Sequence, residues 1–307
     1  MRNVTVLTGG VGGAKLLAGL CALEPAPNVT AIVNTGDDFR HLGLAISPDI
    51  DTLLYVLSGQ DHRTQGWGRQ NESWSFMAAL QSLNGPDWFA LGDGDLALHV
   101  MRTARLAGGD TLSAITADFA RAWGIRARIL PMSDDRVATM VETDQGRFEF
   151  QDYFVAHRCM PVATAIRFEG AVTARAATDT ITAIAGADAI LIAPSNPYLS
   201  IDPILAVPAI RAALLARKVP VVAISPIVGG EAVKGPTGKL MREFGVPVSA
   251  GAVASHYGAI LDGMLIDRGD ADAPLDIAHA TEDTLMRDLA DKKRVAAAAL
   301  ALTERLR

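Results

Sequence analysis

Val4-Thr5-Val6-Leu7-Thr8-Gly9-Gly10-Val11-Gly12-Gly13-Ala14-Lys15 is the stretch that decides the fold. Val4–Leu7 reads as a short buried strand, the glycines end it, and Lys15–Leu23 reads as the helix that follows. Clustered glycines between a strand and a helix let backbone amides converge on a phosphate at the helix N-terminus. Gly10, Gly12 and Gly13 are therefore candidate phosphate-cradling residues, and Lys15 is either their cation or a solvated helix lysine. The segment is not a Walker A loop, because Ala14 precedes the lysine and no Ser or Thr follows it. It also departs from the dinucleotide fingerprint, with Lys15 in the place of the third glycine.

The same alternation continues outward. Thr30–Val33 is a second expected strand, and Ser47-Pro48-Asp49 reads as a helix start with Ser as cap and Leu53, Leu54 and Leu57 as the buried stripe. From about Gly66 to Trp123 the pattern is helical, with Thr111 as an expected cap and Gly124 as a stop. Val137–Thr143 and Phe148–Val155 read as a hairpin turning at Asp144-Gln145-Gly146, with a further strand near Ala163–Phe168. Ala189–Ala193 and Val219–Ile224 are expected buried strands, and the Ala-rich tail from Glu282 is helical. The expectation is an α/β chain: a Rossmann-like parallel sheet with helices on both faces and an inserted helical and antiparallel region. Residues 1–65 and 160–307 would form the nucleotide-binding core and 66–159 the insertion.

Composition narrows the class. The 307 residues are 50 % hydrophobic with a net charge of −6, and no basic stripe points to nucleic acid as a partner. Cys21 and Cys159 form no CxxC spacing, which argues against a zinc cage or disulfide framework and fits a reducing compartment. The first residues read as a strand rather than a signal-peptide core, and the apolar runs are too short to span a membrane. A soluble cytoplasmic protein is expected, and the Ala-rich end is compatible with a homodimer.

Four more clusters follow strands or open helices, where α/β proteins place ligands. Asn34-Thr35-Gly36-Asp37-Asp38, with Asp49 and Asp51 at the next helix start, offers carboxylates to a divalent cation. Singly, each aspartate would equally serve as a helix cap. Leu91-Gly92-Asp93-Gly94-Asp95 opens a helix carrying His99 and Arg102, and no role is assigned to His99. Pro194-Ser195-Asn196-Pro197 ends an apolar strand with Ser195 and Asn196 held between prolines, suited to bonding a base or phosphate. Gly229-Gly230, followed by Lys234, offers a second nest for a phosphate or carboxylate, or a plain turn.

These clusters, in this order, resemble the 2-phospho-L-lactate transferase family of coenzyme F-420 biosynthesis. The matching segments are LTGGVGGAKLL, VNTGDD, ISPDIDTLLYVLSG, GWG at Gly66–Gly68, WFALGDGDLALH, LPMSDD at Leu130–Asp135, FQDYFV, IAPSNPYLSIDPIL, VPAIRAAL and SPIVGGEAVKGPTGKLM. They run from residue 5 to about residue 241. The resemblance implies magnesium-assisted transfer of a phospho-carboxylate unit from a guanylylated phospho-acid donor to the side-chain hydroxyl of the deazaflavin Fo, with release of GMP. Carried over, Asp49 looks like a deazaflavin-contacting residue and Asp37 and Asp51 look like candidates to hold the cation; Asp49 or a neighbouring carboxylate is expected to orient or deprotonate the hydroxyl. Gly10, Gly12, Gly13, Ser195, Asn196, Gly229 and Gly230 form the nucleotide and diphosphate cradle. Gly94 and Leu98 depart from the arginine and threonine of an LGDRDLATH-like segment, which leaves lactate-, enolpyruvate- and glycerate-type donors open.

Two other classes share parts of this pattern. A non-catalytic nucleotide-sugar-binding regulator of the gluconeogenesis-factor type would use the same glycine nest, but the SPDIDTLLY and PIVGG…KGP segments look like transferase. An NAD-dependent oxidoreductase is disfavoured by Lys15 and by the absence of a hydride-transfer pair.

Overall fold

The computed structural model describes residues 2–62, 68–272 and 274–307; Gly66 and Trp67 of the GWG segment lie outside the described residues. The strands are β1 (Asn3–Thr8), β2 (Asn28–Val33), β3 (Phe39–His41), β4 (Leu44–Ile46), β5 (Arg128–Pro131), β6 (Ala138–Thr143) and β7 (Gly146–Glu149), then β8 (Ala163–Glu169), β9 (Ala189–Ile192), β10 (Val221–Ile224), β11 (Ile227–Val228), β12 (Glu231–Ala232), β13 (Gly263–Asp267) and β14 (Ala278–Glu282). Seven of them build the central sheet in the order β14-β13-β10-β9-β1-β2-β5, and every neighbouring pair is parallel. The chain leaves β1 toward β2 and β5, then returns to β9 on the other side. That reversal opens a crevice beyond the carboxyl ends of β1 and β9, where such sheets bind ligands.

Alternation along the strands feeds two cores. Leu7, Ile32, Ile190 and Ile192 face one layer with Ile210 and Val253, while Val6, Val33, Leu191 and Ala193 face the other with Leu16, Leu17 and Val295. Both faces are covered, so the strands read as continuous apolar runs.

Helix α1 spans Gly10–Cys21, earlier than the sequence suggests: the glycines are its first turn rather than a loop before it. Helices α2 (Pro48–Ser58), α3 (Ser75–Ser82), α4 (Asp93–Ala107) and α5 (Leu112–Ala122) follow. Thr111 caps α5 through the Ala114 amide at 3.2 Å, and Gly124 stops it at φ 67°. β5 then pairs with β2, so the 66–159 stretch is interrupted by a strand of the central sheet. The antiparallel excursion is the separate sheet β7-β6-β8. β7 ends at Glu149, and Asp152–Ala156 forms a wide π-type turn in place of the expected strand. The reason is packing: Phe150 and Tyr153 both bury in one core, and residues three apart in a strand point to opposite faces. Among the described residues no single helix is long and apolar enough to cross a membrane.

Candidate functional site

Asp49, in the first turn of α2, is buried at the switch-point crevice with 7 % of its surface exposed. Its Oδ1 accepts from the Gly10 amide at 2.7 Å, and its Oδ2 accepts from Asn34 Nδ2 at 3.0 Å. Asn34 is itself locked, because its Oδ1 accepts from the Gly36 amide at 2.8 Å and its Nδ2 also reaches Leu199 O at 3.3 Å. The exits of β1 and β2 thus both reach one carboxylate, and Asn34 ties it to the chain beyond β9. Two internal donors leave acceptor capacity on both oxygens. Burial pushes the Asp49 carboxyl up to about 6, with the Asn34 and Gly10 bonds pulling the other way.

Asp37 is also buried, and its Oδ1 has no partner. Burial, and then the neighbouring Asp49, push it well above the usual carboxylate range. Ser47 does not cap α2 with its side chain; its hydroxyl donates to Asp38 Oδ2 at 2.7 Å, tying the acid segment to the helix start. Asp51 is turned away, on the Arg102 guanidinium: Nη1 donates to Oδ2 at 3.1 Å and Nη2 donates to Oδ1. Among the described residues no three Asp, Glu, His or Cys side chains gather as a metal cage. Thr8 Oγ1, Thr35 Oγ1, Asp37 Oδ1, Asp38 Oδ1 and Asn196 Nδ2 are buried without hydrogen-bond partners, and all follow or end strands at this one edge. Such a concentration of unmet polar atoms marks a place built for something other than protein.

Ser195 is a staple: its Oγ donates to Gly9 O at 2.6 Å and accepts from the Gly9 amide at 3.3 Å. Asn196 Oδ1 accepts from the Tyr198 and Leu199 amides at 3.0 and 3.2 Å, which leaves its Nδ2 as the donor without a partner. Gly9 caps α1 with no side-chain acceptor, so the amides after Gly10 in the first turn have no such cap. Gly12 and Gly13 lie in that turn, packed against Pro194 and Thr8. Lys15 Nζ donates to Met286 O at 2.8 Å; burial, then Lys234 and Lys292, push its ammonium down. An anion beside these amines would relieve that repulsion.

Gly229 and Gly230 do form a nest, with φ of 59° and 76°, but the Asp270 carboxylate fills it at 3.0 and 2.8 Å. At Gly94, an added Cβ would lie 2.1 Å from Arg69 Nη1, so the Arg69–Glu72 ion pair occupies the space of the missing side chain. An open cleft of about 610 Å³ near Tyr198, Phe244 and His256 contains none of the Asp49 neighbours, so the unmet polar atoms locate the site better than concavity does. Sequence reasoning passed over Asn34 as the group orienting Asp49, and over Arg102. The signal for Arg102 was there: Asp95, Leu98, His99 and Arg102 recur at helical spacing, placing a charge on the buried stripe.

Comparison with known proteins gives a consistent result. A family model described as 2-phospho-L-lactate transferase CofD matches residues 4–303. A phosphoenolpyruvate transferase of Kitasatospora aureofaciens is 44 % identical over 317 aligned residues, covering 99 % of this chain and 99 % of that protein. One from Streptomyces coelicolor is 43 % identical over 316, with the same coverage of each chain. Among solved structures, protein BH3568 from Bacillus halodurans superposes with a TM-score of 0.66 at 20 % identity, covering 97 % of this chain and 99 % of that one. At that identity the likeness concerns the fold alone.

Proposed function

This chain belongs to the 2-phospho-L-lactate transferase CofD family, transferases of coenzyme F-420 biosynthesis, and from that premise we propose that it moves a phosphoenolpyruvyl group from a guanylylated phosphoenolpyruvate donor, a diphosphate, to the deazaflavin Fo. The enolpyruvyl choice is supported by the names of the bacterial relatives. The observation that carries the mechanism is Asp49: a buried carboxylate held by Gly10 and Asn34 among unpartnered polar atoms at the switch point.

The Fo side-chain hydroxyl attacks the phosphorus that bears the enolpyruvyl oxygen, and the bond from that phosphorus to GMP breaks. Asp49 orients the hydroxyl and takes its proton. The GMP phosphate has a second pKa of about 6, so it departs without a strong general acid. The α1 first-turn amides, Asn196 Nδ2 and Lys15 would bind the donor's phosphates, while Ser195 keeps β1 and β9 in register. The Gly229–Gly230 nest holds Asp270 and lies outside this assignment.

Asp37 suits a magnesium ion, being a buried acid beside Asp49 with its pKa raised and its Oδ1 without a partner. Asp51, committed to Arg102, is not placed beside it as a second ligand. When bound, magnesium would neutralise charge on the transferring phosphate.

The test is a titration of Fo fluorescence with and without magnesium, followed by addition of the enolpyruvyl, lactyl and glyceryl guanylylated donors in turn. Saturable Fo binding with GMP release from the enolpyruvyl donor is the expected result. Absence of Fo binding under both conditions would overturn the reading in favour of a nucleotide-binding regulator.

A pH dependence follows. A base must be ionised, and Asp49 ionises at about 6. The kcat/KM profile is therefore expected to be flat above that value and to fall about tenfold per pH unit below it. A profile that stays flat to pH 4.5 would remove Asp49 as the base.

A further inference from the structure

Arg102 is 1 % exposed and leads the fully buried side chains in volume. From α4 it reaches the first turn of α2, where both terminal nitrogens engage Asp51, and Nη1 also donates to Ala45 O at 3.2 Å. The next residue on α4, Thr103, accepts from the Ala45 amide at 2.7 Å, so α4 holds both backbone groups of one residue in β4. His99 Nδ1 lies 3.3 Å from Arg102 Nη1. The same Nδ1 lies 3.7 Å from Asp51 Oδ2, with Nε2 turned toward Asp95. That Nε2 sits 3.1 Å from Asp95 Oδ2, close but not aligned as a hydrogen bond, and Tyr55 donates to the other Asp95 oxygen. Asp51 and Tyr55, one turn apart on α2, are thus both tied to one stripe of α4.

The opposite side of the same turn carries Asp49. Residues two apart on a helix lie roughly 200° around its axis, so Asp49 faces Gly10 and Asn34 while Asp51 faces Arg102. The turn is gripped on both sides. Stability alone does not account for this, because a buried ion pair is commonly no better than an apolar pair of the same volume. What the fork adds over apolar packing is a fixed direction.

We propose that Arg102 is a positioning residue for transfer: through Asp51 it sets the rotation of the first turn of α2, and so the aim of the Asp49 carboxylate at the acceptor hydroxyl. The inference rests on the reading of Asp49 given above. Its test compares wild type, Arg102→Lys, Arg102→Met and the double variant Arg102→Met/Asp51→Leu, measuring Tm, kcat, KM and the magnesium concentration for half-maximal rate.

In Arg102→Met, both Tm and kcat fall, kcat by about tenfold or more. The double variant removes the stranded charge and recovers most of the Tm, while kcat stays low and KM values hold within about threefold. Arg102→Lys keeps the charge but not the fork, and its kcat also stays low. Recovery of kcat together with Tm in the double variant would make the pair purely structural and overturn the proposal. So would a wild-type kcat in Arg102→Met, or a raised magnesium requirement in the double variant, which would make Asp51 a cation ligand. A wild-type enzyme that transfers nothing would instead bring down the functional reading, and this inference with it.

Discussion

Asp49→Asn is expected to lower kcat by about 10²–10⁴-fold, the span by which a positioned general base contributes. Fo and donor are expected to bind the variant nearly as well as wild type. The geometry predicts the division between rate and stability. Wild-type Asp49 accepts from two fixed donors, Gly10 N and Asn34 Nδ2. An Asn there presents one oxygen and one NH₂, so one of those donors meets another donor. Asn34 cannot flip to relieve the clash without losing its bonds to the Gly36 amide and Leu199 O. Leaving one buried donor unmet costs about 1–3 kcal/mol. Removing a carboxylate that burial pushes up to about 6 works in the opposite direction. The two offset, so Tm should move little while turnover collapses. Single-turnover rates with Fo fluorescence as the binding control separate the two. Wild-type turnover in Asp49→Asn would refute the base assignment; loss of Fo binding with a normal single-turnover rate at saturation would make Asp49 a binding residue only.

What the sequence discloses, and what it conceals, follows from whether a residue's partner is near it in the chain. Ala189–Ile192 and Val221–Ile224 read as central strands because both faces are buried, so no polar residue interrupts them. β5 is concealed because Arg128 and Pro131 flank only two apolar residues, and β14 because an exposed edge strand, AHATE, has a polar composition. The start of α1 is concealed by its glycines, poor helix formers that are used here for close approach rather than for a loop. In the site, Asp49 and its acidic neighbours are legible because they follow strand ends. The commitment of Asp51 to a guanidinium 51 residues away is not, nor is the filling of the Gly230 amide by an acid 40 residues on. A nest motif specifies that an anion will be held, without specifying whose anion it is. Magnesium, Fo and the guanylylated donor likewise stand on the resemblance and on the chemistry of Asp37 and Asp49, and the titrations above decide them.

Gly12→Ala is expected to destabilise the protein by about 2–3 kcal/mol, lowering Tm by roughly 3–5 °C, although alanine is the better helix former. Two effects compete. Replacing a helical glycine with alanine gains about 0.5–1 kcal/mol of propensity. Against it, the new Cβ would lie 2.4 Å from Pro194 O, a backbone atom at the exit of β9 that cannot swing aside as a side-chain tip could. Relief requires moving the Pro194-Ser195-Asn196 segment, and with it the Ser195 staple on Gly9 and the free Asn196 amide. The donor KM should therefore rise along with the loss of stability, which a remote core defect would not produce. Gly238→Ala is the matched control: it too is a helical glycine, but its nearest contact would be Ala232 Cβ at 3.6 Å, an ordinary separation. There the propensity gain meets no opposition, and Tm should hold or rise slightly. If both variants shifted Tm equally, the close approach at Gly12 would carry no energetic weight. If Gly12→Ala lost stability with an unchanged donor KM, the α1 turn would be a packing device and the phosphate cradle would have to lie elsewhere.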